Sequence, residues 1–276
     1  MTARDWHADR DAVFERDAYT CRHCDAVGGD DEPTTLRPYP IGDVPLEGEV
    51  HESALVTVCE DCFGTLESAP STDGVESAEL FELVREITGL QGATISDVAA
   101  FASLATSLPA TLESALDEET ETAVDDTVSE YRRARRDVLL ALAIVDARLE
   151  RLAALEPTVG PEVRSSLEAF AETARDLQST LREVVALGET VAAALERCQG
   201  CFDGTRADGI RASAGVTCPT CGLTVRETDD WRDEDGTLAF DQLFAAINET
   251  LQGASETTET LTDRTMALAE QLTTAQ

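Results

Sequence analysis

All eight cysteines of the chain fall into four C-x-x-C pairs: Cys21/Cys24, Cys59/Cys62, Cys198/Cys201 and Cys218/Cys221. Two such half-sites make one tetrahedral four-thiolate site, so four pairs imply two zinc ions. The pairs group by position, with one module near the N-terminus and one past residue 195. Thioredoxin-like redox motifs share the spacing but sit in a βαβ context that neither region shows. No cysteine is left over, and the reading is structural zinc rather than disulfides or redox dithiols.

Between and beyond these modules the sequence is regular. Val124, Val128, Tyr131, Arg135, Val138, Leu142, Val145, Leu149 and Leu152 alternate four and three residues apart. Glu156-Pro157 to Gly160-Pro161 breaks the pattern. It resumes at Val163, Leu167, Phe170, Ala174, Leu177, Leu181, Val184, Gly188, Val191, Leu195 and Cys198. A third run goes from Phe240 through Phe244, Ile247, Leu251, Ala254, Thr258, Leu261, Thr265 and Leu268 to Leu272. A sustained 3.5-residue repeat predicts coiled-coil packing of long helices. Short turns predict an antiparallel hairpin from the first two, with the third packing back along it. Arg135, Gly188, Thr258 and Thr265 interrupt the apolar seam. They read as positions at the edge of a three- or four-helix bundle, with register-fixing polar contacts as the alternative.

The expected fold is therefore mainly α, organised as a zinc module (1–68), a linker with short helices (69–119), an antiparallel helical hairpin (120–197), an inserted zinc ribbon (198–236) and a heptad helix (237–276). Within 69–119 the Ser68–Glu76 stretch reads as a linker. One helix is expected to start at Ser77 and end near Gly89. Another starts with Thr94 as its N-cap, and Leu108-Pro109 restarts a third.

Composition adds a constraint on environment. The net charge is -34, and the 21 basic residues are all arginine. High Asp/Glu without lysine is the composition associated with extreme halophiles, where molar salt shortens the Debye length to about 3 Å and screens the self-repulsion. Acidity of this kind does not exclude nucleic acid as a partner. No run of 18 apolar residues and no signal-peptide pattern is present, so a soluble, cytoplasmic protein with no membrane partner is expected.

The N-terminal module carries a recognisable pattern. An amphipathic helix (Trp6, Ala12, Val13, Phe14) leads to Arg16-Asp17-Ala18-Tyr19-Thr20-Cys21-Arg22-His23-Cys24. A variable stretch then leads to Ala54-Leu55-Val56-Thr57-Val58-Cys59-Glu60-Asp61-Cys62-Phe63. This resembles the HNH endonuclease family in its zinc-containing treble-clef form, over about a quarter of the chain. The resemblance implies structural zinc on the cysteines and a catalytic set of base histidine, orienting asparagine and metal-binding histidine, acting on a phosphodiester with a divalent ion.

This chain departs from the family at each of those positions. Pro40 or Gly42 stands at the first histidine, Ala54 at the asparagine and Phe63 at the last histidine. None of these side chains can take a proton or hold a metal. Only three histidines exist: His7 in the opening helix, His23 in the zinc knuckle and His51, the sole candidate for salvage, for which a surface-loop role is expected. No catalytic residue and no organic cofactor is assigned. The metal ligands expected are the eight cysteines.

Cys198-Gln-Gly-Cys201 and Cys218-Pro-Thr-Cys221-Gly222 look like the two knuckles of a zinc ribbon, with Leu223-Thr-Val-Arg as a short strand. Cys198 continues the preceding heptad, which would dock the ribbon directly on the helices. Arg132-Arg133-Ala134-Arg135-Arg136 is the one dense basic run. It reads as a solvated helix face with ion pairs to Glu130, Asp137 and neighbouring helices, a phosphate-binding patch being the functional alternative.

Three functions remain open on the sequence. One is a non-catalytic interaction protein with nucleic-acid or protein partners. Another is a working HNH-type metal-dependent endonuclease. The third is a coiled-coil homo-oligomer with zinc staples.

Overall fold

The computed structural model describes residues 6–28, 35–42, 50–67, 74–75, 77–117, 121–157, 159–205 and 216–274. It is mainly helical. Helix α1 (Trp6–Arg16), a two-stranded antiparallel sheet of β1 (Leu36–Pro40) and β2 (Leu55–Cys59), and α2 (Glu60–Glu67) make up the N-terminal module. Four long helices follow: α3 (Ser77–Asp117), α4 (Glu121–Ala154), α5 (Pro161–Ala194) and α6 (Phe240–Thr274). The second cysteine module lies between α5 and α6. A two-residue parallel pairing of β3 (Gly74–Val75) with β4 (Glu156–Pro157) ties the start of α3 to the α4–α5 turn.

The sequence predicts short helices over 69–119, but the structure runs one 41-residue helix from Ser77 to Asp117. Gly89 does not end it. Thr94 is not an N-cap, since its hydroxyl donates back to the Leu90 carbonyl (2.9 Å) inside the helix. Pro109 sits within it without stopping it. Each glycine costs about 1 kcal/mol against alanine, and proline about 3 kcal/mol. Burial of Leu80, Ile87, Val98, Phe101, Ala105 and Leu108, all fully enclosed, outweighs those local preferences. By length and composition α3 is also apolar enough to cross a membrane (mean hydropathy 1.3). Its exposed positions are small or charged, among them Arg85, Glu86, Ala93, Asp97, Ser103 and Ser107.

The four helices pack around one apolar core. Helix α4 lies chiefly on α3, and α5 chiefly on α6, while α3 and α5 approach across the short diagonal. Polar contacts set the register. Arg148 pairs with Glu86 (2.8 Å) between antiparallel α4 and α3, and Asp146 pairs with Arg182 between antiparallel α4 and α5. The buried Gln91 amide donates to the Ala174 carbonyl (2.9 Å), linking α3 to parallel α5, and buried Gln178 donates to the Leu142 carbonyl (3.1 Å) on α4.

Two of the interruptions in the heptad pattern are not edge positions. Gly188 is buried where α3 crosses α5, and a Cβ added there would lie 2.6 Å from the Phe101 ring. Absence of a side chain is what lets the helices meet. Arg135 is 5% exposed and ion-paired inside the bundle. Thr258 and Thr265 are half-buried.

Helix α4 has a second apolar stripe that the 3.5-residue pattern does not contain. Leu140 and Ile144 are buried away from the bundle core, against Phe14, Ile41, Val56 and Val58 of the N-terminal module. That stripe docks the module on the bundle. On the same side the Arg22 guanidinium grips Asp137 of α4 with two hydrogen bonds (3.1 and 2.6 Å).

Two candidate metal centres and the residues that dock them

Three of the four cysteine pairs share one backbone conformation. In the first, the Cys21 amide donates to the Ala26 carbonyl and the Asp25 amide returns to the Cys21 carbonyl, with Thr20 and Val27 as a single bridge. Cys198 and Cys218 repeat this with Asp203 and Leu223 as acceptors, Phe202 and Gly222 as returning donors, and bridges at Arg197/Gly204 and Thr217/Thr224. The residue after the second cysteine has positive φ in each knuckle: Asp25 (59°), Phe202 (65°) and Gly222 (77°). Only the last is glycine, so burial of Phe202 and local turn bonds hold two residues in a conformation that L side chains resist. The fourth pair differs. Cys59 ends β2, and Cys62 lies in the first turn of α2, where the helix dipole favours a thiolate.

These elements bring Cys21, Cys24, Cys59 and Cys62 into one cluster and Cys198, Cys201, Cys218 and Cys221 into another, with all sulfurs of each within 4.8 Å of one another. The Cys24–Cys59, Cys198–Cys221 and Cys201–Cys218 sulfur separations are 3.6, 3.4 and 3.6 Å. A tetrahedron with Zn–S bonds of about 2.3 Å has edges of about 3.8 Å. A disulfide needs about 2.05 Å. Crowding opposes ionisation at several of these thiols, Cys62 and Cys201 most of all. Burial and then the neighbouring thiols push Cys62 well up, and hydrogen bonding with Cys198 and Cys221, followed by burial, does the same to Cys201. A divalent cation removes that opposition by accepting all four thiolates. Both clusters are structural zinc sites, closed by four protein sulfurs with no open position.

The second centre is anchored by residues far from it in sequence. Tyr131 of α4 is fully buried, stacks on Phe101 of α3 (5.6 Å) and on Phe202 of the knuckle (5.2 Å), and donates to the Gln199 carbonyl (3.3 Å). Burial holds its phenol protonated far above the usual tyrosine range. Gln199 in turn donates to the Thr224 carbonyl (2.7 Å), joining the two knuckles. Gly200 lets Leu223 of the facing knuckle pack close, because an added Cβ would push the leucine methyl aside.

Beneath them Glu189 of α5, 1% exposed, accepts from Arg135 of α4 (2.7 Å) and from Arg226 of the zinc module (2.6 and 2.7 Å). Sequence reasoning missed Glu189. Its signal was a carboxylate directly after Gly188, in a stretch where every residue from 188 to 194 is buried.

Two expectations for this region change. Helix α5 ends at Ala194, and Glu196 takes φ 60°, so Cys198 follows the helix without continuing it. Residues 223–226 form only the single bridge at Thr224, not a strand. The loop between the knuckles lies largely outside the described residues.

In the N-terminal module the chain segments around Pro40 and Ala54 run side by side, while Phe63 packs elsewhere on the hairpin. Pro40 pairs with Leu55 across the sheet, and the Ile41 amide donates to the Ala54 carbonyl (2.9 Å). Phe63 packs edge-on against Tyr39 (6.2 Å), with the Arg37 guanidinium 4.8 Å over its ring. His51 is not in a surface loop but 8% exposed, its Nδ1 accepting from the Ser53 amide (3.1 Å) to cap the 3-10 turn Glu52–Ala54. The cap holds it because the turn's first amide would otherwise be buried without an acceptor.

The arginine run is not a solvated face either. Arg133 pairs with Asp137 and is exposed, but Arg135 and Arg136 are 5% and 7% exposed, and Arg132 is half-buried beside Glu52 (3.8 Å).

Fold and centres together define a mainly helical zinc-binding protein with two four-cysteine sites. No family model matches the chain, and neither a curated protein nor a solved structure matches it.

Proposed function

We propose that this chain is a non-catalytic interaction protein, in which an HNH-like zinc module has lost its enzyme and serves with a zinc-ribbon-like module as a rigid platform for a nucleic-acid or protein partner. The order knuckle, β-hairpin, helix with one cysteine pair at the strand–helix junction supports the treble-clef reading of the first module. Two facing knuckles joined through Gln199 support the ribbon reading of the second.

The observation that carries the proposal is the occupancy of the HNH positions. Pro40 (or Gly42), Ala54 and Phe63 offer no proton acceptor or metal ligand, and a guanidinium sits over Phe63. A general base contributes roughly 10²–10⁴-fold and a positioned metal several kcal/mol more, so this surface lacks the means to hydrolyse a phosphodiester. The lysine-free composition and net charge of -34 support a protein working in concentrated salt.

The test is plasmid and single-stranded DNA incubated with the protein in molar KCl and Mg²⁺, Mn²⁺, Co²⁺ or Ni²⁺. No cleavage is expected. Nicking that disappears in His51→Ala would replace this reading with a rearranged endonuclease site.

A further inference from the structure

The junction between the first zinc module and α4 holds a cleft of about 510 Å³, lined by Arg16, Arg22, Arg132, Arg133 and Arg136 together with the carboxylates Asp17 and Glu52. Five guanidiniums converge there in a chain whose net charge is -34. They are not equally engaged. Arg16 uses four of its five donors, giving two hydrogen bonds to Asp17 (2.8 and 2.9 Å) and one each to the Glu52 and Leu55 carbonyls (both 2.8 Å). Asp17 also accepts from the Thr57 amide. Burial alone would raise this carboxyl, but the Arg16 bonds hold it below its ordinary value. Arg22 is bidentate on Asp137.

Arg136 is different. It is 7% exposed, and among the described residues its guanidinium has no hydrogen bond or ion pair. Arg132 reaches Glu52 only at 3.8 Å, and its buried Nε has no partner among the described residues.

Asp17 and Asp137 act on Arg136 only through space, and a largely buried cation without a direct partner is one that a ligand from outside the fold can complete. Burial, and then the neighbouring Arg16, lowers Arg136 to about 9, against a guanidinium's usual value above 12. Asp17, Glu52 and Asp137 pair with this cluster and Asp25 also acts on Arg22, so five guanidiniums meet four carboxylates and the balance stays positive. Planar forks with spare donors match a tetrahedral oxyanion. A phosphate monoester carries about -1.5 to -2 at neutral pH, against one charge on a backbone diester, and so draws more from that excess. The volume falls within the roughly 300–1,000 Å³ of small-molecule sites.

We infer that this cleft is a binding site for a phosphate monoester group, with Arg136 and Arg132 as its principal ligands and Arg133 closing its rim. The inference goes beyond the interaction reading, because it names a chemistry and a place for one ligand. The group can come from a free phosphate or nucleotide, or from the 5′-phosphorylated end of a nucleic-acid strand.

The experiment is a set of titrations of the intact zinc-loaded protein in molar KCl, followed by thermal unfolding and calorimetry. The probes are inorganic phosphate, adenosine 5′-monophosphate, and one oligonucleotide with and without a 5′-phosphate. Binding of phosphate or the mononucleotide is expected if the source is free. Preference for the 5′-phosphorylated strand over its unphosphorylated twin is expected if the source is a strand end. Arg136→Met and Arg132→Gln should each weaken binding by about 10- to 100-fold, the range for losing a charged hydrogen bond. Arg85→Gln, on the exposed side of α3, should leave it unchanged.

A second readout separates a ligand site from a structural arginine. Without phosphate, Arg136→Met should melt higher than wild type, by a few degrees, since it removes a buried charge that nothing in the fold pairs. A lower melting temperature for Arg136→Met, equal affinity for both oligonucleotides without binding of phosphate or the mononucleotide, or no binding of any probe at roughly 10 mM would overturn the inference. That result in a protein that still holds two zinc ions and does not cut DNA would leave the interaction reading intact. Plasmid cleavage would end that reading without touching this one.

Discussion

Glu189 shows how much of this structure hangs on single buried charges. It is the one carboxylate that Arg135 of α4 and Arg226 of the second zinc module share, and it lies beside the glycine that admits Phe101. Removing it strands a cation that is 5% exposed. Breaking a buried pair in this way costs about 3–5 kcal/mol, while replacing both partners by apolar groups is often nearly neutral. Glu189→Ala should therefore lower stability by about 3–5 kcal/mol, read from denaturant unfolding in molar salt. The double replacement Arg135→Met with Glu189→Met should lose markedly less. Arg226 tolerates that change because its side chain is 39% exposed and can rehydrate. Equal losses in the two proteins would mean the pair contributes only packing volume.

At the scale of elements, the zinc modules differ in how they depend on metal. The first has a small core of its own in Phe14, Cys21, Val56 and Val58, closed on one side by Leu140 and Ile144 of α4. In a module this small the ligation free energy is largely folding free energy. Cys59→Ser should then unfold the N-terminal module and reduce zinc from two ions per chain to one. The bundle helices should remain, because their core runs along α3, α4, α5 and α6 without it. Elemental analysis and circular dichroism on the same sample check both halves. A protein with one zinc ion and an unchanged N-terminal fold would show that packing on α4, not metal, holds the module. Acidification should release both ions, since each proton bound to a thiolate competes with zinc.

For the whole molecule, charge sets the conditions. A chain with 55 acidic and 21 basic residues repels itself in dilute buffer, and the repulsion reaches over a Debye length of about 10 Å at 0.1 M salt but only about 3 Å at 1 M. The melting temperature should rise with KCl from about 0.1 M to about 3 M, with helicity falling on dialysis to low salt. The buried pairs around Glu189 are screened far less than the surface. A melting temperature flat across that range would remove the reason offered for the arginine-only composition.

The same three scales separate what the chain's order of residues determined from what tertiary structure decided. The zinc ligands were legible because metal binding constrains residue type and spacing locally: C-x-x-C is the distance one knuckle spans. The long helices α4, α5 and α6 were legible because an apolar seam leaves a period. The length of α3 was not, because Gly89, Gly92 and Pro109 are local stop signals, and only burial against the three other long helices overrides them. The second stripe of α4 was hidden because Leu140 and Ile144 fall off the bundle period, and their partners lie some 80 to 130 residues earlier in the chain. Whether an arginine in Arg132-Arg133-Ala134-Arg135-Arg136 faces water, a carboxylate or an empty cleft depends on which helix face each occupies and what packs there. Composition treats those residues as equivalent, and the fold makes Arg133 a surface ion pair, Arg135 a buried one and Arg136 a buried cation without a direct ion pair among the described residues. Desolvation acts on position in space, which no local pattern records.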